Sequence, residues 1–254
     1  MNGIILCEGE TDQIILSEYF CHMYGFQFLR GSRHKPFGNA GCRYIRDEDK
    51  LDIVYVSGNN FSEYVQRILT INKLNTGSTY THMAVISDHD SDEEIQQRWQ
   101  GIAEVISEAC NCAFHIRENQ WLTLEQPLAF DESLSLECLF LSLPLTGEGA
   151  LETFLLDAIE HEPGNSFLSQ EARKFVAELM KKKETLSSDE WNPDFLRSRR
   201  MQVKAPLGVF FGVAWPDRAF NDARDMFRRI PWPDYCQIQT SFQAFDVFSP
   251  EHGA

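Results

Sequence analysis

Four acidic side chains carry the first chemical suggestion in this sequence: Glu8 and Asp12 in Glu8-Gly9-Glu10-Thr11-Asp12, and Asp88 and Asp90 in Asp88-His89-Asp90. Both stretches follow apolar runs, Ile4-Ile5-Leu6-Cys7 and Met83-Ala84-Val85-Ile86-Ser87, so the carboxylates stand where strands are expected to end. Side chains two apart on an extended segment face the same way, which puts Asp88 and Asp90 on one side and His89 on the other. Gly9 permits a tight turn after Glu8, and Thr11 or Asp12 can cap the next helix, bringing Asp12 to the same crevice. An all-oxygen set of this kind suits a hard divalent cation, Mg²⁺ or Mn²⁺. The chemistry that follows is metal-assisted phosphoryl transfer or hydrolysis.

The elements that must position these groups are legible from period and punctuation. Strands are expected at Gly3–Cys7, Leu51–Val56, His82–Ser87, Cys112–Ile116 and Glu137–Leu143. Helices are expected at Thr11–Tyr24, Asn60–Asn72 and residues 93–109, each with an apolar side. Residues 30–50, with Gly31, Pro36, Gly38, Gly41 and six basic side chains, read as a loop or a distorted strand. The alternation predicts an α/β fold with a mainly parallel, Rossmann-like sheet flanked by helices. In such a sheet, ligands gather beyond the carboxyl ends of the strands, where Glu8 and Asp88 are placed. From Gly149 the pattern becomes helical, at 149–160, 166–183 and 217–229, with further helical segments at Trp191–Arg200 and Gly208–Trp215. The expected organisation is therefore residues 1–147 as the core domain and 148–254 as a helical extension packed on it.

Composition narrows the function classes. The chain has 254 residues, 43% of them hydrophobic and 24% charged, enough for a large packed core. No run of apolar residues is long enough to span a membrane, and the N-terminus does not resemble a secretory signal, so a cytoplasmic protein is expected. Seven scattered cysteines lack CxxC spacing and read as reduced thiols rather than zinc ligands. The net charge of −15 is uneven: residues 1–164 hold 10 Lys/Arg against 26 Asp/Glu, and the remainder 13 against 12. Contact with a nucleic-acid backbone must then be local, through a basic patch or a bound cation. Candidate patches are Arg30, Arg33, His34 and Lys35 with Arg43 and Arg46; then Arg197, Arg199, Arg200 and Lys204; and then Arg224, Arg228 and Arg229.

The order and spacing of Glu8-Gly9-x-x-Asp12 and Asp88-x-Asp90 resemble the Toprim superfamily, the topoisomerase–primase catalytic domain. The segment Val54-Tyr55-Val56-Ser57-Gly58-Asn59-Asn60-Phe61 is similar to the branch of overcoming-lysogenisation-defect nucleases. That resemblance implies a Toprim fold and cleavage of DNA or RNA with two metal ions, often in phage defence. Gly149–Leu156 resembles the Leu-Glu helix start of small stand-alone relatives, and Val203-Lys204-Ala205-Pro206 a later lysine motif. By this likeness Glu152 helps hold a second ion and Lys204 stabilises phosphate charge. By residue type alone, Glu152 equally reads as a favourable acid in a first helical turn, and Lys204 as a solvated lysine. No phosphate-binding Gly-x-x-x-x-Gly-Lys-Ser/Thr loop is present, so any ATPase or sensor must be a separate chain, and a homo-oligomer is a further expectation.

Two other classes stay open. Asp88-x-Asp90 could serve a small-molecule phosphohydrolase, with Asp88 as nucleophile and Asp90 as acid/base, although Glu8 then has no task. A Toprim-like module that binds metal, nucleic acid or protein without turnover fits the strong acidity.

Overall fold

The computed structural model describes residues 1–33, 37–56, 60–74, 79–128, 132–186, 196–216, 227, 230 and 232–249. Its frame is a seven-stranded sheet formed by β1 (Asn2–Cys7), β2 (Gln27–Arg33), β3 (Gly41–Arg46), β4 (Asp49–Tyr55), β5 (His82–Asp88), β6 (Trp121–Pro127) and β7 (Ser133–Leu143). The spatial order is β2-β3-β4-β1-β5-β7-β6. The four central strands β4, β1, β5 and β7 are parallel, while β3 and β6 run against them at the flanks. This is the expected mainly parallel α/β sheet.

Alternation along β1 shows why helices must cover both faces. Ile5 and Cys7 join the apolar cluster on one face, and Ile4 and Leu6 the cluster on the other. Helices α2 (Phe61–Leu74) and α3 (Asp92–Cys110) cover the Ile4/Leu6 face through Val65, Ile68, Ile102 and Ile106. Helix α1 (Glu10–Tyr24) covers the opposite face with Ile15, Leu16 and Phe20, and ends at Gly25, whose φ of +73° is a left-handed stop that suits glycine.

The C-terminal part is helical: α4 (Leu151–Glu160), α5 (Ser166–Thr185), α6 (Arg199–Ala214) and a short helix at Cys236–Ser241. Leu155, Leu207, Phe210, Phe242, Phe245 and Phe248 belong to the same apolar cluster as Ile5, Leu16 and Phe20. Phe248 touches Phe20, His82 and Trp121, its backbone carbonyl accepts from Arg46, and it lies against the bare face of Gly3. The extension and the sheet thus share one core.

One expectation fails locally and another is narrowed. Residues 112–116 are not a strand: Asn111 adopts φ +51° at the end of α3, and Phe114 and Ile116 pack on the core without sheet pairing. The strand antiparallel to β7 is instead β6, whose exposed Thr123 and Glu125 alternate with Leu122 and Leu124 and disguise it as a polar stretch. Of the two readings of residues 30–50, the distorted strand holds for much of the described part: it completes β2 and supplies β3 and the start of β4, with an irregular register between Phe28 and Arg33. The helix expected at 217–229 lies almost wholly outside the described residues, as does the start of Trp191–Arg200, while Gly208–Trp215 falls largely within α6.

A shared core makes one prediction. Phe248→Ala is expected to cost about 3–5 kcal/mol and to leave a single unfolding transition, read by urea denaturation. Two separate transitions, or a negligible cost, would contradict the shared core.

Candidate metal centre

The register of β1 and β5 builds the site. Leu6 stands opposite Val85, so Glu8 arrives level with Ser87 where the two strands end. Glu8 Oε1 accepts the Ser87 hydroxyl at 2.9 Å and the Asp88 backbone N–H at 3.1 Å. Arg98, reaching in from α3, donates to the same oxygen and to Ser87 Oγ. Glu8 is thereby a clasp between two strand ends, with its charge countered by Arg98.

Asp12 sits in the first turn of α1, directly after Glu8 and Gly9. The Gly9 N–H donates to its Oδ2 at 2.7 Å, which closes the helix N-terminus and fixes the carboxylate. Asp88 is the last residue of β5, paired in register with Leu143 of β7. From there the chain returns through Gly149, whose N–H donates to the His89 carbonyl at 2.8 Å. A Cβ at Gly149 would stand 3.0 Å from Pro144 Cδ and 3.2 Å from Thr153 Cβ, a tight fit that glycine relieves. Helix α4 starts immediately afterwards, and the Leu151 N–H donates to Asp88 Oδ1 at 3.1 Å.

The next residue, Glu152, completes a group. One ligand oxygen each from Asp12, Asp88 and Glu152 lies within 4.8 Å of the others, and all three residues are buried. Lys204 on α6 reaches the same group, bonding to Glu152 Oε1 and standing 3.4 Å from Asp12 Oδ1. Glu152 Oε2 is buried with no hydrogen-bond partner. A buried carboxylate oxygen without a donor is costly, and here it belongs to an all-oxygen cluster that fits a hard divalent ion.

Charge crowding shifts the ionisation of these groups. Burial, followed by the charges of Asp12, Glu8 and Glu152, pushes the Asp88 carboxyl from 3.8 up to about 9. Burial and Asp12 also raise Glu152, against the opposing pull of Lys204. Burial raises Glu8, and Arg98, Ser87 and the Asp88 N–H pull it back only in part. For Lys204, burial acts to lower the pKa, but Asp12, Glu152 and Asp88 outweigh it and the net shift is upward. The neighbouring Cys7 thiol is raised by burial and by Asp12, Asp88 and Glu8, and so stays protonated.

The structure brings together Asp12, Asp88, Glu152 and Lys204 of the expected set and places Glu8 beside them. Asp90 stands apart from the three-carboxylate group: β5 ends at Asp88, the chain bends at Asp90, and strand alternation no longer holds. Its half-exposed carboxylate acts electrostatically on Glu8. The three-carboxylate group thus joins Asp88 to Asp12 and Glu152, and Asp90 is not a member of it. His89 is partly buried, with Nε2 2.9 Å from Asp92, and Ser91 caps α3.

Among the basic candidates, Arg43 forms a double hydrogen bond to buried Asp52, and Arg46 bonds to Asp49 and to the Tyr24 and Phe248 carbonyls. Both are structural cations, not phosphate ligands. Arg197 and Arg199 are exposed, and Arg199 donates to the Asp90 carbonyl at 2.6 Å and to Glu148 at 2.9 Å. Arg200 follows on α6, but its side chain, that of Arg33, and all of Lys35, Arg224, Arg228 and Arg229 fall outside the described residues. Arg98 and Ser87 were missed in the sequence. Arg98 lies one turn from Ile95 and next to Trp99, at the border of the buried face of α3, which is the available signal.

A family match covers residues 2–192 and is described as a protein of unknown function, DUF3226. The chain belongs to this DUF3226 family. The match takes in Glu8, Asp12, Asp88, Asp90 and Glu152 and ends before Lys204. Comparison with functionally curated proteins gives no match. Among solved structures, a hypothetical protein from Pyrococcus horikoshii OT3 is similar in fold, with 13% identity, a TM-score of 0.51, and coverage of 98% of this chain and 94% of that one.

The raised Asp88 gives a signed prediction for the DUF3226 chain stripped of divalent ions. An acid whose pKa is higher in the fold than its ordinary 3.8 favours folding when protonated, so this contribution is lost as pH climbs from near 4 to about 9. Asp88→Asn, which mimics the protonated form, should raise the melting temperature by about 5 °C or more at pH 8 and by less at pH 5. An equal shift at both pH values would show that Asp88 is not held neutral.

Proposed function

We propose that this chain is a divalent-metal-dependent nuclease that hydrolyses phosphodiester bonds of DNA or RNA. The observation that carries the reading is the convergence of Asp12, Asp88 and Glu152 around an unpartnered carboxylate oxygen, with Lys204 beside it. The resemblance of the Glu8-Gly9-x-x-Asp12 and Asp88-x-Asp90 stretches to Toprim nucleases supports the same reading, including the wider proposal of a role in phage defence.

Asp12, Asp88 and Glu152 would hold the ion, Mg²⁺ or Mn²⁺, which supplies Lewis-acid polarisation of a phosphoryl oxygen and acidification of bound water. The other groups act through position. The Leu151 N–H fixes the Asp88 carboxylate, and the Gly9 N–H fixes that of Asp12. Arg98 holds Glu8 across the strand ends, leaving Glu8 as an orienting group for the Asp88 backbone. Lys204 places a positive charge at the same centre, where negative charge on a phosphoryl group would develop. Arg197, just before α6, and Arg199, in its first turn, are exposed cations that suit a polyanionic backbone. No helix among the described residues is long and apolar enough to cross a membrane, and the seven free cysteines support a cytoplasmic setting.

A second reading, a module that binds without turnover, is favoured by one feature: Lys204 already offsets part of the acidic charge. Purified protein with Mg²⁺ or Mn²⁺ and single- or double-stranded DNA or RNA separates the two. The nuclease reading expects cleavage that falls at least about 100-fold in folded Asp88→Asn and Glu152→Gln variants. Binding without cleavage in the parent protein, or undiminished cleavage in both variants, would contradict it.

A further inference from the structure

We infer that, in the absence of substrate, the centre takes a single divalent ion, and that the Lys204 ammonium fills the place of a second cation. This rests on the metal reading above and goes beyond it, because it sets the number of ions by a residue of the chain itself.

The oxygens divide in a way that leaves room for one ion. Asp12 Oδ2 is taken by the Gly9 N–H and Asp88 Oδ1 by the Leu151 N–H. Glu152 Oε1 is taken by Lys204. What is left is Glu152 Oε2, buried in a residue only 1% exposed and without a partner, the second oxygen of Asp88, and Asp12 Oδ1, which Lys204 touches at 3.4 Å. Glu8 lies outside the three-carboxylate group, clasped at Oε1 by three donors and paired with Arg98. Asp90 lies outside the group, half-exposed to solvent.

Charge leads to the same number. In the loaded centre, with all three carboxylates deprotonated as ligands, their charge is balanced by one divalent ion and one ammonium. A second divalent ion would leave the buried group with excess positive charge beside Lys204, at a cost that low local polarisability makes large. Lys204 and the ion share Glu152 through different oxygens, so Lys204 need not leave when the ion enters. It does oppose the ion through like charge, and it thereby holds metal affinity down.

The test is Mn²⁺ binding to the chelator-stripped full chain, measured by calorimetry and by the electron paramagnetic resonance signal of free Mn²⁺. About 0.15 M salt screens weak surface association. One ion per chain is expected in the parent protein. Lys204→Gln should bind its first ion about tenfold more tightly, whereas Lys204→Arg, which keeps the charge, should stay near the parent value. Two ions in the parent, or unchanged or weaker affinity in Lys204→Gln, would overturn the inference and leave the metal reading standing. No binding at all would overturn both. Should Lys204→Gln fail to fold, the parent stoichiometry still decides.

Discussion

Like charges buried together need a cation or a proton to offset them, and the architecture around the ends of β1 and β5 answers that constraint. Asp12, Asp88 and Glu152 come from three separate elements into one buried group, where desolvation and mutual repulsion each act against ionisation. Two responses are built into the chain. Lys204 supplies a positive charge from α6, and Asp88 is held toward its neutral form. The unpartnered oxygen of Glu152 marks the charge that these responses leave over.

Packing makes that arrangement rigid. β1 and β5 are neighbours at the centre of the sheet, so Glu8 and Asp88 meet through strand register and not through loop placement. The shared apolar cluster that joins Ile5 and Leu16 to Leu155, Leu207 and Phe248 holds α4 and α6 against the same sheet face. Glu152 and Lys204 therefore reach the centre on helices whose positions the core sets. The helical extension contributes to the site as much as the sheet does.

How much of this was legible depended on how local each signal was. Glu8, Asp12 and Asp88 follow apolar runs that announce strands, and their positions at strand ends could be argued from a parallel sheet alone. Asp90 was grouped with Asp88 by strand alternation, but β5 stops at Asp88 and Asp90 lies outside the three-carboxylate group. Glu152 and Lys204 stood out only through the likeness of Gly149–Leu156 and Val203–Pro206 to family motifs; residue type alone does not distinguish them from a helix-start acid and a surface lysine, because their proximity arises from long-range packing. Arg98 was hidden for a related reason: a charged residue on the edge of an amphipathic helix reads as solvated until the partner across the sheet is known. The β6 strand was missed because its outward residues are polar and its apolar ones few, whereas residues 112–116 looked like a strand only because they are apolar.

The central claim is that the residual negative charge of this centre is met by a divalent ion. Anomalous diffraction from crystals grown with Mn²⁺ tests it most directly. The account predicts a single peak bonded to oxygens of Asp12, Asp88 and Glu152, with Lys204 still in contact with Glu152. Well-ordered crystals with no peak among those three side chains, or with ions only at the protein surface, would contradict it.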